Sequence, residues 1–227
     1  GQHRCQVHAD CDRLPQIEVA VGEREAGPAY ALVLRILAPL SPDDEARLVA
    51  FADAHGVEFW LQTGGPASVA PFHPPHASLA YGLPEFDVSM PFGPTEFTQV
   101  NASINRVLVR RAIGLLDPQP GERVADFFCG IGNFTLPIAT RAAECVGVEG
   151  DEELVRKARA NAARNDVDNA RFHVADLAAE MAAGTTPWLQ GAYDSALVAP
   201  PRSAAESVLP QLAASGWPVL VGTSRKA

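Results

Sequence analysis

The sequence has few cysteines, no long apolar run and a shortage of positive charge, and each absence excludes a class of protein. Its four cysteines, Cys5, Cys11, Cys129 and Cys145, are too few and too scattered along 227 residues for a disulfide framework. No apolar run approaches the ~20 residues that span a bilayer, so we expect no membrane partner and a reducing cytoplasmic location. The chain has no starting Met and no signal-peptide pattern, which we interpret as a trimmed or processed front end.

Acidic residues outnumber basic ones by 27 to 18, which gives a formal net charge of −9 at pH 7. Charge of this sign opposes the binding of nucleic acid through counterion release, so a solvated acidic surface is the favoured interpretation.

Hydrophobic residues make up 47% of the chain, as expected for an ordinary globular protein. A chain of this length holds one large domain or two small ones.

Two domains are predicted, residues 1–97 and residues 98–227. The first is predicted to be α+β, with strands at 17–21, 30–37 and 57–63. One helix is expected before the last of these strands, because Ser41 and Pro42 are typical of a helix start and Gly56 of a helix end. The segment 64–76 is rich in Gly and Pro and is predicted to be a loop or a poorly ordered segment.

The second domain is predicted to be an α/β fold. It begins with a helix after Asn101, followed by strands at 124–128, 145–148, 171–175, 193–198 and 218–222. Helical segments at 134–143 and 151–165 alternate with these strands, which predicts a parallel sheet with helices on both faces. The residues that we expect to form the apolar face of the first helix are Ile104, Val107, Leu108, Ala112 and Leu115.

A glycine-rich segment after the first of these strands is the most informative part of the chain. Residues 126–134 have the sequence Asp-Phe-Phe-Cys-Gly-Ile-Gly-Asn-Phe. Gly130 and Gly132 let the backbone turn sharply and approach a ligand closely, and the amides of the following helix start then face the crevice. Glu149 ends the next strand, near the ~20-residue offset at which an acid reaches ribose hydroxyls. The pattern predicts a nucleoside-containing cofactor across the carboxyl ends of parallel strands.

The rest of this region indicates the type of cofactor. A nicotinamide-binding loop has a third glycine, whereas Thr135 stands at that place here. Asp126 ends the first strand, which suits a cofactor with a cationic centre better than one with a pyrophosphate. Asp176 ends the third strand, where an acid can accept a hydrogen bond from an adenine amino group. We therefore predict S-adenosyl-L-methionine, and a nicotinamide-dependent oxidoreductase is the less favoured alternative.

Several motifs resemble those of the RNA uracil-5-methyltransferases, most closely the branch that modifies 23S ribosomal RNA. They are Phe-Thr-Gln-Val-Asn at 97–101, the glycine segment at 126–134, Val-Gly-Val-Glu-Gly at 146–150 and a weaker Ala-Pro-Pro-Arg at 199–202. The resemblance implies an RNA substrate and a Rossmann-like class I methyltransferase sheet after a smaller α+β domain, which would contact RNA or have a structural role. The cofactor contacts that it implies are Gln99, Phe128, Asn133, Glu149 and Asp176.

Two further cofactor contacts, Asp126 and Gly130, are predicted from the residues without the resemblance. For Gln99, a helix-capping role is supported as well as a cofactor contact. The oligomeric state cannot be determined from the sequence, and we expect a monomer. The target uridine, and the choice between ribosomal and transfer RNA, are also left open.

The catalytic groups of the family are not found in this sequence. Family members attack uracil C6 with a cysteine thiolate from a Ser-Cys-Asn-Pro turn after the fifth strand. Here 222–226 is Gly-Thr-Ser-Arg-Lys, and Ala199 stands where the family has the aspartate of Asp-Pro-Pro-Arg. Cys129 lies inside the cofactor loop and is predicted to be a packed residue.

The sheet is also two strands shorter than is usual for the class. A fragment, a chain with missing segments and a catalytically silent relative therefore stay open. We expect this chain to bind cofactor without methylating RNA by itself.

Weaker patterns are interpreted as surface or packing. Cys5 and Cys11 cannot supply the four ligands that an iron–sulfur cluster needs. His73 and His76 lie in a Pro-rich stretch without a nearby acid and are interpreted as loop surface instead of a metal site. A small basic patch consists of Arg106, Arg110 and Arg111. It is equally compatible with RNA phosphate contacts and with a solvated helix face.

Overall fold

Two units make up the fold. The structure, a computed structural model, describes residues 13–24, 27–95, 102–177, 179–180, 188, 192–200 and 202–222. Among these, residues 13–82 and 91–95 belong to the first unit, and residues 83–90 and 102–222 belong to the second. No helix in these described ranges is long and apolar enough to cross a membrane.

The first unit is built on a four-stranded sheet. The first two predicted strands are present as β1 (Gln16–Arg24) and β2 (Gly27–Arg35), which form an antiparallel hairpin. Helix α1 (Pro42–His55) leads to β3 (Val57–Gln62), which is parallel to β2, and β4 (Val69–His73) returns antiparallel to β3. As predicted, α1 begins at a cap, where Ser41 Oγ accepts a hydrogen bond from the Asp44 amide at 3.2 Å, and ends at Gly56 with φ 65°. The core residues between α1 and the sheet are Leu34, Ile36, Ala52 and Phe59.

The predicted loop over 64–76 is wrong for residues 69–73, which form β4. The proline content was misleading because β4 pairs with β3 alone in the described sheet, and at a sheet edge the missing N–H of Pro71 costs little. His73 Nε2 lies 2.8 Å from Asp53 Oδ1 of α1, an acid that sequence separation concealed. Two further strands that were not predicted, β5 (Leu79–Leu83) and β6 (Val88–Phe92), pair with each other.

The second unit contains the predicted parallel sheet, with five strands. Its elements are α2 (Ala102–Leu116), β7 (Arg123–Phe127), α3 (Thr135–Ala139), β8 (Glu144–Glu149), α4 (Glu152–Arg164), β9 (Ala170–Val174), β10 (Ser195–Val198), α5 (Arg202–Ser215) and β11 (Val219–Val221). The spatial order is β11-β10-β7-β8-β9, and every neighbouring pair is parallel. The chain moves from β7 through β8 to β9 and then crosses back to β10, on the other side of β7. The carboxyl ends of β7 and β10 therefore form the topological switch point.

Apolar groups cover both faces of this sheet, because alternate residues of a strand point to opposite faces. On one face, Phe127, Val148 and Val198 belong to the same core cluster as Val208 and Leu212 of α5. On the other face, Gly147 permits close packing, since a Cβ there would lie 2.8 Å from the Phe172 ring and 3.0 Å from Cys129 Sγ. Glycine at position 147 is thus required by the approach of these two side chains.

Helix α2 forms as predicted, but its predicted apolar face is exposed. Ile104, Val107, Leu108 and Leu115 are 45% to 65% exposed, whereas the buried residues are Asn105, Val109 and Ile113. Apolar residues occur on both sides of this helix, so spacing alone could not identify the buried side. The contacts of α2 with β10, β11 and α3 decide it.

Helix α3 is shorter than the predicted segment 134–143, because it ends at Ala139. There the side-chain amide of Asn169 donates to the carbonyls of Ala139 and Ala142 at 2.8 and 3.0 Å. These bonds satisfy carbonyls that a continuing helix would have used, and the chain turns into β8.

Candidate cofactor site at the carboxyl ends of the parallel strands

The predicted site residues that the structure describes follow strands β7, β8 and β9 at one edge of the sheet. Phe127 is in register with Val148, and Glu149 is in register with Val174, so the ends of these strands are aligned. Asp176 comes two residues after the end of β9. Ala199 follows β10, and its amide donates to the Phe127 carbonyl at 3.3 Å. Gln99 lies outside the described residues.

The loop after β7 has a backbone that few residues adopt. Phe128, Gly130 and Gly132 have φ values of 63°, 55° and 93°. Positive φ is inexpensive for glycine, but it is strained for an aromatic residue such as Phe128, and strain of this kind concentrates at functional sites. The amides of Phe128 and Cys129 both donate to the Val148 carbonyl, at 2.9 and 3.2 Å, which ties the start of the loop to β8.

Glu149 organises the loop through backbone amides. Its Oε2 accepts from the Gly130 amide at 3.1 Å. Its Oε1 accepts from the amides of Gly150 and Asp151, at 2.8 and 3.2 Å. One carboxylate therefore joins the glycine loop to the turn that begins α4. Each carboxylate oxygen can accept two hydrogen bonds, so Oε2 can accept a further donor without releasing Gly130.

Asp126 lies beneath the loop, where its side chain is 0% exposed. Its Oδ2 accepts from Thr135 Oγ1 at 2.6 Å, and its Oδ1 has no hydrogen-bond partner among the described residues. Burial raises the pKa of Asp126 to about 7, against the opposing effect of the Thr135 bonds, and the nearby charge of Glu149 raises it further. The Thr135 hydroxyl at the third-glycine position thus has a defined partner. Direct contact between Asp126 and a cofactor stays a prediction.

Two buried asparagines hold the loop from neighbouring helices. Asn105 of α2 and Asn133 of the loop exchange side-chain hydrogen bonds at 2.9 and 3.0 Å. Asn161 of α4 donates to the Ile131 carbonyl at 3.1 Å. Asn105 and Asn161 are only 2% and 5% exposed. Neither of them was predicted, although an amide among the small or apolar residues of a helix face is a signal that the sequence contains.

Asp176 is exposed at the edge of this region. Its Oδ1 accepts from the Ala179 amide at 3.1 Å, so it caps a helical turn, and its contact with a cofactor stays a prediction. The Ala175 amide donates to the Glu149 carbonyl at 2.9 Å, which brings the ends of β8 and β9 side by side.

The cysteine thiols of this unit are packed. Cys129 and Cys145 are 4% and 0% exposed. Burial raises the pKa of each thiol well above its ordinary value, and the charge of Asp126 raises it further. A high pKa disfavours the thiolate, which is the nucleophilic form. Groups of three or more His, Cys, Asp or Glu side chains that could hold a metal ion are absent from the described part of the chain.

The arginines of α2 are partly used in ion pairs. Arg110 contacts Glu85, and Glu85 also lies 3.9 Å from Arg141. A patch in which one arginine already has a carboxylate partner is weakened as a phosphate-binding surface.

Comparison with known proteins agrees with this geometry. A family model described as a methyltransferase domain matches residues 118–194. That range contains the glycine loop, Glu149 and Asp176.

Two curated relatives extend the match over most of the chain. The 23S rRNA (uracil(1939)-C(5))-methyltransferase RlmD of Thiobacillus denitrificans is 54% identical over 211 residues, which is 92% of this chain and 48% of the relative. The protein of the same name from Aromatoleum aromaticum is 55% identical over 203 residues, with coverage of 88% and 46%. The resemblance to the RNA uracil-5-methyltransferases is confirmed. The chain spans about half the length of the curated relatives that it matches.

Solved structures show the same fold at low sequence identity. The tRNA (uracil-54, C5)-methyltransferase of Pyrococcus abyssi, determined in complex with S-adenosyl-L-homocysteine, has a TM-score of 0.63 at 19% identity and covers 89% of this chain and 48% of that chain. A putative transferase from Pyrococcus horikoshii has a TM-score of 0.54 at 18% identity, with coverage of 88% and 68%. The predicted α/β methyltransferase architecture is confirmed.

Proposed function

We propose that this chain supplies the S-adenosyl-L-methionine site of an enzyme that methylates C5 of a uridine in 23S ribosomal RNA. The observation that carries the proposal is the 54% identity to an RlmD protein over 92% of the chain. The glycine loop at the switch point supports it, because ligands of open parallel sheets bind in that crevice. A ribosomal RNA substrate also favours a cytoplasmic location and, for residues 1–97, a role in contacting RNA or in supporting the cofactor domain (98–227).

The residues at the strand ends fit the parts of this cofactor. Glu149 Oε2 already accepts one hydrogen bond from the backbone, and it would accept a second one from a ribose hydroxyl. Asp176, which is exposed, would accept a hydrogen bond from the adenine amino group. Gly130 and Asn133 would contact the cofactor from the loop. Phe128, held at a positive φ, is partly buried against the core cluster that contains Phe127, and its contact with the cofactor stays an expectation from the resemblance. The bound cofactor supplies a methyl group activated on a sulfonium.

Asp126 would support the glycine loop from within the buried part of the second unit. Its buried carboxyl holds the Thr135 hydroxyl at 2.6 Å and so fixes the start of α3 under the loop. With a pKa raised to about 7, this carboxyl is partly protonated near neutral pH. A preorganised loop binds more tightly because less conformational entropy is lost on binding.

Calorimetry tests the cofactor assignment. We expect the 227-residue chain to bind S-adenosyl-L-homocysteine and to give no heat with NAD. The expectation rests on Thr135 at the third-glycine place and on the acids at the three strand ends. Binding of NAD without any response to S-adenosyl-L-homocysteine would overturn the proposal in favour of an oxidoreductase.

A second candidate is a silent relative that binds cofactor without transferring methyl groups. The packed thiols of Cys129 and Cys145 motivate this candidate, since neither of these two supplies a thiolate for addition at uracil C6. The discriminating assay is transfer of labelled methyl from S-adenosyl-L-methionine to unmodified 23S ribosomal RNA, followed by digestion to locate 5-methyluridine. Multiple turnover would reject the silent relative, and mutation of Cys129 to Ala would then test whether that thiol takes part.

A further inference from the structure

Asn105 is a buried amide in an apolar setting. It lies on α2 with Val109 and Ile113, one and two turns further along the same side, and both of those side chains are 0% exposed. An amide in such a place is costly unless it is hydrogen-bonded. Asn105 meets this requirement through the side chain of Asn133, 28 positions away in the chain.

The bonding is reciprocal, which restricts geometry more than a single bond does. Asn105 Nδ2 donates to Asn133 Oδ1 at 2.9 Å, and Asn133 Nδ2 donates to Asn105 Oδ1 at 3.0 Å. Two antiparallel bonds between planar amides hold the groups in a common plane. Asn133 follows Gly132, which has φ 93° and so belongs to a loop that glycine makes easy to deform. The partner on a regular helix compensates for that freedom.

We infer that Asn105 is a positioning residue that orients the Asn133 amide for cofactor binding; this rests on the proposed cofactor site. The amide of Asn133 lies in the loop whose neighbouring groups are fixed by Glu149 and Asn161. Asn105 supplies the third point of attachment, and it is the one that acts on a predicted ligand-contacting side chain. Without these two bonds, the Asn133 side chain would be held less tightly and would lose more entropy on binding.

A double-mutant cycle on S-adenosyl-L-homocysteine affinity tests the inference. We expect Asn105→Ala to weaken binding by about 2- to 12-fold, the factor that corresponds to ordering one side chain on binding. Asn133→Ala should weaken it at least as much, and the double variant should bind no more weakly than Asn133→Ala alone. Non-additivity of this kind separates orientation of Asn133 from a general effect on the fold.

Asn169 provides a matched control. Like Asn105, it is an asparagine whose side-chain amide makes hydrogen bonds within this unit. Its amide donates to two backbone carbonyls at the end of α3, at 2.8 and 3.0 Å, away from the loop. Asn169→Ala should lower the denaturant midpoint and leave the affinity for S-adenosyl-L-homocysteine unchanged. Asn105→Leu, which continues the apolar side of α2, replaces Asn105→Ala if the latter does not fold.

The outcomes distinguish this inference from the function on which it rests. A wild-type chain that does not bind S-adenosyl-L-homocysteine would overturn the proposed function itself. A wild-type chain that binds, together with an Asn105 variant of unchanged affinity, would overturn only the positioning role. Additive losses for Asn105→Ala and Asn133→Ala would do the same.

Discussion

The contribution of Asp126 to the stability of this protein should fall as the pH rises from about 4 to about 7. The carboxyl is wholly buried, and its pKa is raised from 3.8 to about 7 mainly by that burial. The folded state therefore holds a proton between these two values that the unfolded state has already released. Because Asp126 binds more protons in the folded state in this window, its contribution to the free energy of unfolding decreases with rising pH there and is level outside it.

The size of the effect follows from the shift. Each unit of pKa difference is worth about 1.36 kcal/mol, so the full shift corresponds to about 4 kcal/mol. The bond from Thr135 is already included in this shift, whereas water that enters near the ionised carboxyl reduces the cost of ionisation further. A decrease of about 2–4 kcal/mol between pH 4 and pH 8 is the expected range. Such a change is a large part of the 5–15 kcal/mol that stabilises a typical domain.

The assay is urea unfolding of the wild type and of Asp126→Asn across this pH range. Asparagine keeps an oxygen for the Thr135 hydroxyl and has no proton to lose, so the difference between the two proteins isolates Asp126 from the other titrating groups, Glu149 included. We expect the variant to gain relative to the wild type as the pH rises, with most of the gain complete near pH 7. Parallel curves for the two proteins would show that Asp126 is ionised in the folded state or that water reaches Oδ1.

Two further substitutions test the loop and the packing beneath it. Glu149→Gln should weaken S-adenosyl-L-homocysteine binding by about 1–3 kcal/mol in calorimetry, because a single amide oxygen cannot replace both carboxylate oxygens. Glu144→Gln, at the other end of β8, where the carboxylate pairs with an arginine at 2.6 Å, is the control and should leave the affinity unchanged. Gly147→Ala should lower the free energy of unfolding by about 1–3 kcal/mol, since its Cβ would overlap an aromatic ring at 2.8 Å. Gly121→Ala, which meets nothing within 4 Å, should have little effect, and equal losses for the two variants would refute the packing argument.

The features predicted correctly from the sequence are those encoded locally. The cap at Ser41, the stop at Gly56 and the alternation of strands and helices from 124 onward each depend on residues a few positions apart. The glycine loop was recognisable for the same reason, because the turn between β7 and α3 needs glycine within a short segment. Once a parallel sheet is recognised, the acids that follow adjacent strands are expected to lie at the same edge, and this is how the candidate site was predicted.

The errors came from features that distant residues decide. Apolar residues lie on two sides of α2, and only its contacts with the sheet determine that Val109 is buried while Val107 is 58% exposed. Residues 69–73 form a strand although they contain a proline, since their place at a sheet edge makes the missing N–H tolerable. In both cases the local pattern permitted two structures, and the tertiary partner selected one.

Buried polar residues mark the site more sharply than the apolar pattern does. In the described part of the second unit they are Asn105, Asp126, Thr135, Asn161 and Ser195. All except Ser195 bond to the glycine loop, to the start of α3 or to each other there. A polar side chain within an apolar helix face or strand costs stability unless a partner compensates, and here the partners converge on one loop. That convergence is a physical reason, independent of any resemblance, for proposing the binding site at this edge of the sheet.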